Sequence, residues 1–266
     1  REEVPYDEVK LMYMGDASAK TMALQSGQVD LVENITNVSD IQDFKDNPDF
    51  TVDIASGVRC GFSWMNFDGV LGNKTLRQAI LMAIDYDTIC HSKTIGDLYT
   101  PGFSVLPSTL SYGYDELTNP YTYDPEGAKA ILDEAGYKDT DGDGFVETPD
   151  GDPLTLDFVI YTSRAELGVY AQAAQASLKE IGINVNLNTV SYETLLDMRD
   201  SGQYDLLIWN VLVANTGDPE NYLRENWYSA SANNTAGYNN PEVDELLDEL
   251  AGTFDEEGRK DLIIKI

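Results

Sequence analysis

Histidine is almost missing from this chain of 266 residues; His91 is the only one. A hydrolytic triad would have to use it, and nothing around it suggests one: it sits at the end of an amphipathic helical pattern, where a solvated side chain is the ordinary reading. Cysteine is nearly as scarce. Cys60 and Cys90 are too few for a disulfide scaffold, so two buried thiols are preferred over a single bridge. Without Cys-x-x-Cys or Cys/His clusters, no zinc site is indicated. Basic residues number only 17 against 47 acids, a net charge of −30. Such a surface repels phosphate backbones and anionic lipid head groups, which removes nucleic-acid binding and docking on an anionic membrane. No apolar run approaches the roughly eighteen residues that would span a bilayer. Gly-x-Gly-x-x-Gly and Gly-x-x-x-x-Gly-Lys are both missing, and Gly61-Phe62-Ser63 continues as Trp64-Met65 without the closing glycine of a nucleophile elbow. No N-terminal signal segment is visible, and the chain reads as a piece of a longer protein.

What is present is an ordinary share of apolar residues, 42%, enough for a real core. Strand and helix patterns alternate. Val9–Met14 and Val29–Ile35 read as strands around a helix at Ala17–Ser26, a β-α-β unit. Ser39–Asn47 reads as a short helix, and Thr51–Phe67 as extended chain. After a Gly- and Asn-bearing break at Asp68–Lys74, a helix starts at Thr75. Residues 96–123 are poor in pattern and hold five tyrosines and three prolines, the mark of a long functional or surface-draped loop. Asp124-Pro125-Glu126 opens a capped helix that Gly136 ends. The last third is clearest: strand Leu154–Ile160, helix Ala165–Ile181, strand Ile183–Leu187, helix Tyr192–Ser201, strand Tyr204–Val213. This run predicts an α/β fold with a largely parallel sheet, followed by closing helices, one from Asn240-Pro241.

Two constellations carry chemistry. Asp139, Asp141 and Asp143 occupy positions 1, 3 and 5 of a twelve-residue calcium loop, with Gly144 at 6, Phe145 at 7, Glu147 at 9 and Asp150 at 12. Asp150 replaces the longer Glu that gives bidentate ligation. A calcium-stapled loop and a plain Asp/Gly hairpin stay open, and the role is structural in either case. The second constellation uses strand ends, where open α/β sheets bind ligands. Arg164 sits just past a strand and opens a helix, a good place for a carboxylate, although a surface ion pair is the plainer reading. The last strand runs into Asn215-Thr216-Gly217-Asp218-Pro219. There Asn215 or Asp218 offers oxygens to an ammonium group, with a turn and helix cap as the plainer reading for Asp218. Trp64, Trp209 and Trp227 could line such a cleft, though core packing is their default.

The chain resembles the solute-binding proteins of ABC transporters that carry peptides, or nickel and metal chelates (family 5). The resemblance rests on phrases in order: Ala23-Leu24-Gln25-Ser26-Gly27-Gln28-Val29-Asp30-Leu31; Leu76-Arg77-Gln78-Ala79-Ile80 with Ala83-Ile84-Asp85; Tyr123-Asp124-Pro125-Glu126-Gly127-Ala128-Lys129 with Glu134-Ala135-Gly136-Tyr137; Ile181-Gly182-Ile183-Asn184-Val185; Gly217-Asp218-Pro219; and Gly237-Tyr238-Asn239-Asn240-Pro241-Glu242-Val243-Asp244. The resemblance implies a two-lobed, periplasmic-binding-protein-like α/β fold that closes on its ligand. Residues 1–57 would be the C-proximal part of the first lobe and 58–266 most of the second. It implies an extracytoplasmic binding protein, anchored or periplasmic, that hands a short peptide or small metal chelate to ABC permease subunits and catalyses nothing. Arg164 falls where dipeptide-binding members hold the peptide carboxylate. Asn215 falls where those members place an ammonium-binding aspartate, and its neutrality departs from them. Residues 211–217 hold no aromatic and no histidine follows His91, so a naked nickel site is not supported. The expected ligand contacts are Arg164, Asn215, Asp218, Trp209 and Trp64; no cofactor is required, and a structural calcium ion is an option. The alternatives from other classes are a hydrolase-like α/β enzyme and a calcium-dependent interaction module.

Overall fold

The computed structural model describes residues 5–35, 37–96, 98–110, 112–162 and 164–266. The chain forms two compact units, Arg1–Ile54 and Ala55–Ile266.

In the first unit two helices form, α1 (Ala17–Gln25) and α2 (Val38–Asp46). Asp16 and Asn37 cap them by accepting the backbone N–H of Ala19 and Ser39. Thr21 Oγ1 donates to Asp40 Oδ2 at 2.7 Å, tying α1 to α2. The two strands expected around α1 are not strands among the described residues. A strand exists only through partners, and Val9–Met14 and Val29–Ile35 find none here. Tyr13 is accordingly 97% exposed and Leu11 95%.

The second unit is a four-stranded sheet covered on both faces. Strand β1 (Arg59–Met65) is followed by α3 (Lys74–Ala83), α4 (Tyr86–Cys90) and, after the long loop, α5 (Pro125–Glu134). Then come β2 (Thr155–Tyr161), α6 (Ala165–Glu180), β3 (Asn184–Val190), α7 (Tyr192–Ser201) and β4 (Leu206–Leu212). Helices α8 (Glu220–Trp227), α9 (Pro241–Gly252) and α10 (Glu256–Lys265) close the chain. The expected β-α-β-α-β run forms within one to three residues, because its periodicity and its caps agree. Asp124, Ser191 and Asn240 each accept from the first turn of the helix they open.

The strand order is β1-β4-β2-β3. Strands β2, β3 and β4 are parallel, while β1 pairs antiparallel with β4 from Arg59↔Leu212 to Met65↔Leu206. The sheet is therefore mixed. Side chains opposite each other share a face, and neighbours along a strand alternate. Ser63 stands opposite Ile208, and Tyr170 of α6 bonds to Ser63 at 3.2 Å. Phe62 stands opposite Trp209, and Arg199 of α7 lies over the Trp209 ring at 4.4 Å. Thus α6 and α7 cover opposite faces, as right-handed crossovers require. Leu156, Phe158, Leu206, Leu207 and Ile208 are fully buried between them. A second core joins Val213 to Leu223, Leu247, Leu250 and Leu262 of α8, α9 and α10. Cys60 and Cys90 are free and half-buried, and burial pushes the Cys60 thiol up to about 11.

Candidate functional site

Topology places the site. The chain leaves β2, winds through α6 to β3, then crosses back through α7 to β4 on the other side of β2. The winding reverses between β2 and β4, and ligands of open α/β sheets bind outside the carboxyl ends at such a reversal. The two strands pair only at Phe158↔Leu206 and Val159↔Leu207. Their carboxyl ends run on without a shared ladder.

Arg164 stands on one flank, at the N-cap position of α6, with its side chain 24% exposed. Its guanidinium makes no hydrogen bond among the described residues; the nearest charge is Glu166 Oε1, 3.8 Å from Nη1. Glu166, in the first turn of α6, is 7% exposed along its side chain. Its Oε1 accepts the Tyr99 hydroxyl at 2.7 Å, while Oε2 is buried with no partner. Burial, then the bond to Glu166, pushes the Tyr99 phenol well above its ordinary range. Arg164 thus stands beside a buried carboxylate that already accepts the Tyr99 hydroxyl.

Aromatic rings stand at the same edge. Tyr161, the last residue of β2, meets Tyr192 edge to face at 5.3 Å, and Trp209 Nε1 donates to the Tyr192 hydroxyl at 3.3 Å. Trp209 is sandwiched towards the core by Trp64 at 6.0 Å and covered by Arg199, which is itself bonded to Asp200.

On the other flank, the loop after β4 turns at Gly217, whose φ of +87° suits glycine. Asn215 is exposed and lines a cavity of about 250 Å³ with Trp209, Thr216, Asp218 and Asn226, on the α7–α8 side of the sheet. Asp218 lines the cavity but is committed elsewhere. Its Oδ1 accepts Glu220 N at 2.9 Å and Arg259 Nη2 at 2.8 Å, and its Oδ2 accepts Arg259 Nε at 3.0 Å. Burial alone would raise its pKa, but the Arg259 hydrogen bonds outweigh it and hold the carboxyl below its ordinary range. Arg259 also reaches Glu220 at 2.9 Å and the Leu250 and Thr253 carbonyls.

Of the five expected ligand contacts, the structure brings Trp209, Asn215 and Asp218 to one cavity and sets Arg164 on the α6 side of the same edge. Asp218 also anchors Arg259. Trp64 is 6% exposed, stacked on Trp227 at 5.5 Å, and packs in the core. Tyr99, Tyr161, Tyr192 and Glu166 were not foreseen. Glu166 had a signal in the sequence, an acid in the first turn beside a cation; the tyrosines had none, since their neighbours lie far along the chain.

The acidic loop lies at the opposite, amino edge, before β2. Asp139, Asp141 and Asp143 each place a carboxylate oxygen within 4.8 Å of the others. The loop itself bonds these carboxylates: Gly142 N donates to Asp139 Oδ1 and Gly144 N to its Oδ2, Asp143 N to Asp141, and Phe145 N to Asp143. The rest of the expected ligand set does not gather. Glu147 is buried and turned to Thr140, accepting its N–H at 2.7 Å and its hydroxyl at 2.5 Å. Asp150 stands in the next turn, after Thr148, and is outside the acidic group.

Residues 1–234 match the sequence profile described as bacterial extracellular solute-binding proteins, family 5 Middle. Heme-binding protein A of Haemophilus influenzae is 28% identical over 97% of this chain and 45% of its own. The nickel-binding protein NikA of Staphylococcus aureus is 25% identical over 98% of this chain and 50% of its own. Among solved structures, the periplasmic binding protein DppA of Helicobacter pylori, in complex with the peptide STSA, superposes with a TM-score of 0.78 at 25% identity. That superposition covers 94% of this chain and 46% of DppA. The chain spans about half the length of the curated relatives it matches.

Proposed function

The chain belongs to the bacterial extracellular solute-binding proteins of family 5, and on that premise we propose that it supplies the ligand-capturing lobe of an ABC-transporter receptor. Members of this family bind solutes and are not enzymes, so no catalytic residue is assigned. The cargo is a short peptide or a small metal chelate carrying a carboxylate. Residues 58–266 form most of the second lobe, and residues 1–57 the C-proximal part of the first. The whole protein works outside the cytoplasm and hands its cargo to permease subunits. No helix among the described residues is long and apolar enough to cross a membrane.

The observation that carries this reading is Arg164. A guanidinium with no hydrogen-bond partner, backed by a buried carboxylate, stands where the sheet reverses its winding. Such a group offers a carboxylate two parallel donors. The relatives, which include nickel-, heme- and peptide-binding proteins, support cargo with free carboxylates without choosing among them. Calorimetric titration of the full-length protein with trialanine and with nickel(II)–bis-histidine is expected to give saturable heat for one of them. Absence of heat with both, and with the small molecules released from the protein as purified, would reject the reading.

The grouped carboxylates of Asp139, Asp141 and Asp143 favour a second, structural assignment. This loop takes up calcium weakly, with a Kd on the order of 10⁻⁴–10⁻³ M, because neither Glu147 nor Asp150 completes the ligand set. At ~10 mM calcium the full-length protein is expected to melt higher, by the linkage that any ion bound only to the native state exerts. A melting temperature that ignores calcium but responds equally to magnesium and potassium would count against a site.

A further inference from the structure

We infer that Tyr99 is a positioning residue for cargo capture: its hydroxyl holds the Glu166 carboxylate back from Arg164, so that the guanidinium can close on a cargo carboxylate instead. The inference deepens the capture reading above and rests on it.

A guanidinium and a carboxylate that are free to meet close into two parallel N–H···O bonds of about 2.8 Å. Arg164 and Glu166 form an ion pair, but an open one, with Nη1 3.8 Å from Oε1. That lies beyond hydrogen-bond reach. The second oxygen is not used either: Oε2 is buried and has no partner. A buried, unpaired carboxylate oxygen is costly, and Arg164 is the cation at hand to relieve it. That the pair stays open needs a cause.

The cause is another donor at the same atom. Tyr99 donates its hydroxyl to Oε1 at 2.7 Å, so the oxygen facing Arg164 is already taken. Tyr99 reaches it from the loop after α4, across 67 residues of sequence. The turn before it is fixed, since Leu98 N donates to the carbonyl of Ile95, which is buried. Glu166 is 7% exposed along its side chain, so water does not stand in for either partner. Burial raises the Tyr99 and Tyr161 phenols, and Arg164 opposes the rise in both, so the guanidinium lies within charge range of the two rings. Around Arg164 thus stand one carboxylate and these neutral phenols. Of them, the carboxylate alone can compete with an anionic cargo.

Without the Tyr99 hydroxyl, Glu166 is left buried with neither oxygen bonded, and closing on Arg164 is the arrangement that satisfies both. A cargo carboxylate then has to break that pair before it binds. With the hydroxyl in place the competitor is held off, and one orphaned oxygen is what the fold tolerates for it.

Binding of trialanine and of nickel(II)–bis-histidine to the full-length protein tests this through a double-mutant cycle, each variant being melted alongside. For the probe that binds the wild type, Tyr99→Phe keeps the ring, removes the hydroxyl and is expected to weaken affinity about tenfold, the scale of one charge-assisted hydrogen bond. In a Glu166→Gln background the same change is expected to cost less than about twofold, because an amide offers Arg164 one acceptor and no charge. Arg164→Gln checks the capture reading itself and should remove most of the affinity, and the Tyr99 effect with it. A Tyr99→Phe loss of equal size in both backgrounds would make Tyr99 a loop anchor and overturn the inference. Unchanged affinity in a Tyr99→Phe variant that melts like the wild type would overturn it too. Either result leaves the capture reading standing. If Arg164→Gln leaves the affinity intact, or neither probe binds the wild type, the capture reading fails, and the inference with it.

Discussion

Replacing Arg164 by alanine is expected to cost about 2–5 kcal/mol of binding to a carboxylate-bearing cargo in the full-length protein, while the melting temperature stays put. Both halves follow from its surroundings. The guanidinium is a quarter exposed and has no hydrogen bond to lose, so its removal costs the free protein only the ion pair with Glu166. The 3.8 Å contact to Glu166 is too long for a hydrogen bond and is loosely made. Closure over a cargo would exclude water, and a carboxylate buried without its cation then bears the full cost. Arg164→Lys should recover only part of the affinity, since an ammonium cannot grip two oxygens in parallel. Titration calorimetry beside thermal melting checks the pair of expectations. Affinity unchanged with a melting temperature several degrees lower would make Arg164 a structural ion-pair residue.

Asp218→Ala is expected to do the reverse, costing about 2–3 kcal/mol of stability. Arg259 is 14% exposed along its side chain, and Asp218 is 32% exposed. Removing one partner of a fully buried pair costs about 3–5 kcal/mol, because the other charge is stranded; partial exposure and the remaining bond to Glu220 lower that here. The pH dependence follows from the depressed carboxyl. A group whose folded pKa lies below its unfolded value stabilises the fold above the unfolded value, about 3.9 for aspartate. That contribution is lost as pH falls through the folded pKa. The stability gap between wild type and Asp218→Asn should be full at pH 7 and narrow as the pH falls below the unfolded value through the lower folded pKa. A gap of equal size at pH 2 would show that packing, not charge, sets the difference. The loop after β4 supplies Asn215, Thr216 and Asp218 to the cavity, so Asp218→Ala should also loosen cargo binding indirectly.

Local pattern made most of the second unit legible. The strands β2, β3 and β4 and the helices between them announce themselves by alternation, by 3.6-residue stripes and by Asp124, Ser191 and Asn240 as caps. What stayed hidden depends on contacts between residues far apart in sequence. Nothing local to Thr51–Phe67 says that Arg59–Met65 would run antiparallel along β4. Tyr99 and Glu166 meet across 67 residues, and Asp218 and Arg259 across 41. The placement of Arg164 at a strand end was readable because strand, charge and helix start are adjacent there. Trp64 is ambiguous for the opposite reason: an aromatic residue reads the same whether it lines a cleft or fills a core. The strands expected in the first unit have suitable residues, but a β pattern states a capacity to pair without naming a partner.

The stitching of the acidic loop has a thermodynamic consequence. Val146 N donates to the Gly182 carbonyl, Glu147 N to Lys138 and Leu154 N to Val146, so the loop is sewn to the amino ends of β2 and β3. Gly182 holds a φ of +81° there, with Val146 Cγ1 3.0 Å from where a Cβ would stand, and only glycine lets the two segments close this tightly. An ion among Asp139, Asp141 and Asp143 would therefore stiffen one rim of the sheet, while cargo loads the other, a full seven-residue strand away, about 23 Å. Sites that far apart, joined by strands with a single well-packed arrangement, share no element with two states for both to bias. Their free energies are expected to add with a coupling close to zero: an ion bound there would raise the stability of this unit and leave untouched the affinity for what the other rim holds.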